Sequence, residues 1–301
     1  MIHLVDARHL GAPNVICIAL LEKGDNELVM IDSGPETVFE STVAGIKKIG
    51  FSPDQVKHLL LTHIHLDHSG GAWRWAKEFG TRIYVHPIGR PHLVDPAKLV
   101  TSATRIYADK MEYLWGKIEG IAPELVNDVD DDAQLKLGQL NVRVLYTPGH
   151  ANHHNAYLIG ENLFTGDVAG CRVGNGPPVP PFVPPEASIE MWKESLDKLR
   201  AAKPNALYLT HFGKTNDPAP HLDDLEDRIF RWSEWMRQKL VEGKSEKELI
   251  GEFQALTHKE LAESGATWEE MVAYERGNPA AMSVLGLARY WHKVHPERLV
   301  A

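Results

Sequence analysis

The chain reads as an α+β protein of two similar halves that face each other, followed by a helical region. Two observations predict this. Leu28-Val29-Met30-Ile31-Asp32, a helical pattern and then Leu60-Leu61-Thr62-His63 are echoed by Leu163-Phe164-Thr165-Gly166-Asp167, a helical pattern and then Tyr208-Leu209-Thr210-His211. Each half therefore runs strand-Asp, helix, strand-Leu-Thr-His. The second half is longer by nearly the length of a proline-rich stretch, 174–185. Past Pro218 only helical patterns remain, which divides the chain into 1–217 and a C-terminal helical region, 218–301.

Taken in order, 2–7, 15–21 and 27–32 alternate or run apolar like strands, and Glu22 to Asn26 supplies turn formers between the last two. Pro35 opens a helical pattern that Gly50 stops. Strand 56–61 leads into a helix at 72–79 and a strand at 81–85. Residues 88–127 show helical patterns and no strand signal, so they read as an insertion. The acidic run 128–132 lacks the spaced Gly and terminal Glu of a calcium loop and reads as a solvated turn. Strands at 133–137, 141–146, 156–159 and 163–165 follow. The proline-rich stretch 174–185 cannot be helix or central strand, because proline lacks the N–H and fixes φ. A helix at 187–202 and a strand at 206–210 complete the second half.

With 301 residues, 43% hydrophobic and 24% charged, the chain can bury a sizeable core. Cys17 and Cys171 are its two cysteines, too few for a disulfide framework or a zinc knuckle. The early acidic residues Asp6, Glu22, Asp25 and Glu27 sit where a secretory leader would be basic and then apolar, and no apolar run approaches the ~20 residues of a membrane span. A cytoplasmic location without membrane contact is the expectation. The net charge of -9 opposes a phosphate-binding surface, so no nucleic-acid partner is expected.

The chemistry is concentrated in Thr62-His63-Ile64-His65-Leu66-Asp67-His68-Ser69-Gly70-Gly71. His63 and His65 are two apart on an extended segment, so both imidazoles project to one side. Asp67 and His68 follow where the chain turns into a helix and can reach a second point nearby. Isolated histidines such as His3, His9, His86 and His92 read as ordinary. Imidazoles crowded together with a carboxylate are awkward unless a cation organises them. Later strands end in Thr147-Pro148-Gly149-His150, with His153 and His154 close behind, and in Asp167 and His211.

H-x-H-x-D-H at 63–68, T-P-G-H at 147–150, F-T-G-D at 164–167 and a late histidine at 211 resemble the metallo-β-lactamase superfamily over about residues 1–215. The resemblance implies a four-layer αββα sandwich. It places His63, His65 and His150 on one metal, and Asp67, His68 and His211 on a second, with Asp167 bridging. Asp67 and Asp167 become the catalytic carboxylates. Asp32 and His154 become supporting or substrate-contacting residues, and Arg172 a candidate for a substrate carboxylate. Mixed imidazole and carboxylate ligands suit two divalent ions, zinc first, with iron or manganese at one position. Such a pair activates a metal-bound hydroxide, so no serine or cysteine nucleophile is needed.

The resemblance thus implies a dinuclear metal-dependent hydrolase, and the expected substrates are carboxylic esters, thioesters or lactones. The alternatives are a phosphodiesterase or nucleic-acid hydrolase of the same fold and, further off, a metal-binding protein without catalysis. F-T-G-D-V-A-G-C-R at 164–172 resembles the glyoxalase II branch. Gly170 stands where the lactonase branch often has Tyr. His65 stands where the diiron flavoproteins have Glu, and Asp167 where one β-lactamase class has Cys. Phe230, Trp232, Trp235, Trp268, Tyr274, Tyr290 and Trp291 are expected to pack the C-terminal helices. They would also join the insertion and the proline-rich loop in walling an apolar pocket over the metals. A homodimer through these helices is a further expectation.

Overall fold

Alternate residues of the same strands enter different cores, and this alternation builds the layers. A computed structural model describes residues 1–299. Ile2–Asp6 (β1), Cys17–Gly24 (β2), Glu27–Ile31 (β3), Val56–Leu60 (β4), Arg82–Val85 (β5) and Val126–Asp128 (β6) form one sheet in sequence order. Gln134–Leu137 (β7), Leu140–Tyr146 (β8), Asn155–Ile159 (β9), Asn162–Gly166 (β10), Ala206–Leu209 (β11) and Gly213–Thr215 (β12) form the other. In β2 and β3, Ile18, Leu20, Leu28 and Met30 face outward under the helices Phe39–Lys48 and Ala72–Phe79. Ala19, Leu21, Val29 and Ile31 face the second sheet, where they meet Val142, Val144, Tyr157 and Phe164. Strands covered on both faces need apolar residues at both parities, which is what these segments carry.

The outer face of the second sheet shares one core with the helix Ile189–Ala201 and with the helices Pro218–Val241, Glu246–Glu263, Trp268–Gly277 and Ala280–Val294. One core holds Leu163, Leu207 and Trp192 together with Leu225, Trp232, Phe253 and Leu287. The result is the four-layer αββα arrangement with C-terminal helices. Among the described residues no helix is long and apolar enough to cross a membrane.

The internal echo corresponds to two parallel crossovers. β3 pairs with β4 (Ile31 opposite Leu60), and β10 pairs with β11 (Gly166 opposite Leu209). Both open their carboxyl ends to the same edge, so Asp32, the 62–68 segment, Asp167 and His211 emerge together. That is where ligand sites form on such sheets.

Two strands depart from the sequence reading. β6 straddles the end of the stretch 88–127, read as helical, and the start of the acidic run, and it pairs parallel with β5. β12 pairs antiparallel with β11 in a stretch that carried no strand signal. Each is three residues long, too short to show a period of two. The helix read from Pro35 begins as a 3₁₀ turn at Glu36–Val38 before Phe39–Lys48. The acidic run is a turn held by cations, Lys198 to Asp131 and Arg143 to Asp132.

The proline-rich loop packs between Trp192 of the helix Ile189–Ala201 and the C-terminal helices. At Gly286 the helix Ala280–Val294 touches the loop backbone so closely that a Cβ would overlap the Phe182 carbonyl oxygen. Gly286→Ala is therefore expected to lower stability by about 1–3 kcal/mol in denaturant unfolding. An unchanged midpoint would mean that the two backbones do not meet there.

Candidate metal centre

The ends of the parallel crossovers place seven side chains within reach of one another. His63, His65 and His150 bring ligand nitrogens together within 4.8 Å, as do the ligand atoms of Asp67, His68 and His211. His63, His68 and Asp167 form a third such group that links the two. Asp167 turns Oδ2 to His150 Nε2 at 3.4 Å and Oδ1 to His68 Nε2 at 3.2 Å and His211 Nε2 at 3.5 Å. One carboxylate thus presents one oxygen to each group. Asp67 Oδ2 lies 3.3 Å from His211 Nε2.

Hydrogen bonds on the far side of each ring decide which nitrogen is left for a ligand. His68 Nδ1 donates to Asp32 Oδ2 (2.8 Å), His150 Nδ1 to the Pro181 carbonyl (2.8 Å) and His211 Nδ1 to the Val15 carbonyl (2.6 Å). These acceptors carry no proton, so in the neutral form of each ring Nε2 is the atom left with the lone pair for a ligand. Thr62 Oγ1 gives its proton to Asp32, which leaves its oxygen to accept from His63 Nδ1 at 3.1 Å. His65 Nδ1 then faces His63 Nε2 at 2.9 Å and His150 Nε2 at 3.0 Å. Three nitrogens at such separations suit a shared cation. His68 Nε2, His211 Nε2 and Asp167 Oδ1 are buried and have no hydrogen-bond partner among the described residues. Burial without a partner is costly unless an ion supplies one. The residues therefore fit a metal at both groups.

The electrostatics of the groups differ. Burial, reinforced by His68 and its other neighbours, drives His63 far below the ordinary imidazole pKa. Burial and His150 bring His65 down to about 3, and burial lowers His150. These are three neutral lone-pair donors. Burial also opposes charge on His68, but Asp167, Asp67 and Asp32 outweigh it and hold its pKa well above the usual value. His211 is raised against burial by Asp167 and Asp67. Burial works to raise Asp67 and Asp167, and the surrounding histidines, His68 foremost, overcome it. The second group thus sits among carboxylates that favour a cation.

Local sequence explains the supports. Asp32 is fully buried in a left-handed backbone (φ 54°) and accepts from Thr62 N, Thr62 Oγ1, Thr210 Oγ1 and His68 Nδ1. The two threonines are those of the repeated Leu-Thr-His, whose purpose the repeat alone did not reveal. His154 Nε2 accepts from Asp167 N (3.2 Å) while Nδ1 donates to Thr147 Oγ1 (2.8 Å), so it braces Asp167 rather than ligating. Gly149 has φ 130°, and a Cβ there would overlap the Trp192 backbone, which is why the motif before His150 needs glycine.

Arg172 corrects an expectation. Its guanidinium donates to the Gly176 carbonyl (2.9 Å) and Thr215 Oγ1 (3.1 Å), and it does not line the cavity over the ligands. It fixes the start of the proline-rich loop, away from the cavity lining. That loop supplies carbonyls and few donors, so other elements must bind it. Tyr274, Arg228, Asn278 and Arg289 donate to the carbonyls of Pro177, Pro178, Pro180 and Pro185. Pro181 between them accepts from His150.

A cavity of about 620 Å³ opens above the ligand atoms His65, Asp67, Asp167 and His211. The insertion (Leu99, Ala103, Trp115), the proline-rich loop (Pro181, Val183) and the C-terminal region all wall it. The C-terminal contribution is the turn Arg276, Gly277, Asn278 and Pro279 with Met282; none of the seven C-terminal aromatics lines it. Trp232, Tyr274, Tyr290 and Trp291 are instead buried in the core shared with the second sheet. His9 and His92, read as ordinary histidines, also line the cavity. His9 donates from Nε2 to the Leu114 carbonyl (2.9 Å) and stacks on Trp115. Nothing in its sequence neighbourhood pointed to these long-range contacts.

The family model described as metallo-beta-lactamase superfamily matches residues 11–211. The chain belongs to this superfamily and is a metallo-hydrolase. The metallo-beta-lactamase fold-containing protein ST1585 of Sulfurisphaera tokodaii is 29% identical over 216 residues, covering 70% of this chain and 78% of its own length. A hydroxyacylglutathione hydrolase of Aliivibrio fischeri is 25% identical over 295 residues, covering 96% of this chain and 98% of its own. The solved structure of the metallo-beta-lactamase family protein TTHA1429 of Thermus thermophilus superposes with a TM-score of 0.70 at 20% identity, over 97% of this chain and 93% of that one. Its fold therefore extends through the C-terminal helices.

Asp32→Asn keeps the size of the support but replaces one accepting oxygen with a donor among donors. It is expected to weaken metal retention by about 10–100-fold in competition with a chelator, chiefly at the group holding His68. Retention equal to wild type would remove Asp32 from the support of the centre.

Proposed function

We propose that the chain hydrolyses carboxylic ester, thioester or lactone bonds with two divalent metal ions, zinc in first place and iron or manganese as alternatives at one position. His63, His65 and His150 would hold the first, and Asp67, His68 and His211 the second, with Asp167 shared. The observation that carries this reading is Asp167 facing one ligand group with each oxygen, at the floor of an apolar cavity. Metals bound there would make water a nucleophile at neutral pH and polarise the acyl oxygen under attack. The chain's own groups orient them: Asp32, Pro181 and Val15 aim the imidazoles, and His154 holds the Asp167 backbone.

Neither Ser69 nor Cys171, next to the ligand segments, competes for the role. Ser69 Oγ donates to the Ile64 carbonyl, and Cys171 is buried with its thiol pKa pushed far up by burial. The relative named hydroxyacylglutathione hydrolase supports an acyl substrate. A phosphodiester or nucleic-acid substrate is disfavoured by the net charge of -9 and by cavity walls whose Lys and Arg residues are Lys98 and Arg276. A purely metal-binding role leaves the cavity over the ligands without use.

The test is turnover of the metal-loaded protein on thioester, lactone, aryl ester, β-lactam and bis-aryl phosphodiester panels. Acyl substrates are expected to be cleaved. Ser69→Ala should keep most of that activity, and His65→Ala should lose several orders of magnitude. Preferential phosphodiester cleavage, or a covalent acyl-enzyme seen by mass spectrometry, would refute the reading.

A further inference from the structure

Exposed apolar side chains gather at the mouth of the cavity. Among the described residues, nine large hydrophobic side chains are exposed, and four of them, Leu10, Ile88, Ile106 and Tyr113, line this cavity. They come from four separate segments: the turn after β1, the turn after β5, the helix Ala97–Tyr107 and the helix Met111–Trp115. Tyr113 is 66% exposed and Ile88 47%. Leu10 keeps a left-handed backbone (φ 50°), which is unfavourable for a branched side chain. Scattered exposed hydrophobics need no explanation, but convergence of four segments on one opening does.

The apolar lining is continuous inward. Leu99, Ala103 and Ile106 stand three or four residues apart, so one face of their helix looks into the cavity instead of onto a sheet. At the inner end, the buried Ile64 and Leu66 flank His65 in sequence and reach the ligand atoms. A small acyl group at the ligand atoms would leave most of a cavity of about 620 Å³, and all of its rim, in contact with water.

We propose that the substrate carries an unbranched acyl chain of medium to long length. It lies along this path and emerges under Leu10, Ile88, Ile106 and Tyr113. This rests on the hydrolase reading above and gives its substrate class. The carbonyl is held at the ligand groups, and the chain removes cavity and rim from water. Affinity then rises with each methylene until the chain passes the rim.

The test compares metal-loaded wild type with the triple variant Leu10→Asn, Ile106→Gln, Tyr113→Gln on 4-nitrophenyl esters from acetyl to dodecanoyl. Asn tolerates the left-handed backbone at position 10, and all three positions are exposed. Wild-type kcat/KM is expected to rise at least tenfold from acetyl to decanoyl. The variant should lower the decanoyl-to-acetyl ratio about tenfold, through KM. Calorimetric titration with decanoate and acetate, which needs no turnover, should show the same loss of decanoate binding. If no 4-nitrophenyl ester is cleaved, the carboxylic-ester reading falls alone and the decanoate titration decides this one. An unchanged ratio with unchanged decanoate binding would overturn the proposal. So would a wild-type dimer that the variant dissociates without altering chain preference, because the rim would then be an interface between copies.

Discussion

A single buried carboxylate joins the two sheets and the candidate metal centre. Asp32 ends β3, and its donors come from the segment after β4 (Thr62), from the end of β11 (Thr210) and from a candidate ligand (His68). A carboxyl group with no exposure would be very costly without such partners. Because the partners belong to both sheets, satisfying Asp32 sets how the carboxyl ends of the two crossovers meet. The Cys17 amide donating to the Thr210 carbonyl (2.8 Å) and the Asn155 amide to the Thr62 carbonyl (2.7 Å) close the same seam from either side.

The centre also depends on residues far away in sequence. Proline carbonyls at 177, 178, 180 and 185 are held by side chains of the C-terminal helices, and Pro181 in their midst orients His150. Asn278 is the junction: it donates to Pro180, accepts from Ser283 and lines the cavity. The helical region therefore does more than add core. It braces a loop with few backbone donors of its own, and the same turn forms a wall of the cavity.

The ligand groups were legible because metal-binding side chains have few other reasons to crowd together, and because the strand-Asp, helix, strand-His echo fixes a topology. All seven expected ligand residues meet in the structure, and Asp32 and His154 stand behind them. What escaped is local shortness or long-range contact. β6 and β12 are defined by their neighbours in the sheets and not by periodicity. Arg172 carries a charge that suggests substrate, yet its partners, Gly176 and Thr215, are visible only once the chain is folded. The C-terminal aromatics do not reach the pocket: Trp232, Tyr274, Tyr290 and Trp291 are buried in the shared core, while Phe230 and Trp268 are exposed. The pocket took the turn at Arg276 to Pro279 instead. His9 looked isolated because Leu114 and Trp115 approach it from the insertion.

Two metal sites sharing Asp167 are the core of this reading, and elemental analysis of the protein after removal and restoration of metal tests it most directly. Two ions per chain are expected, with a reproducible fall in Asp167→Ala. One ion per chain in both proteins would contradict a shared, two-metal centre.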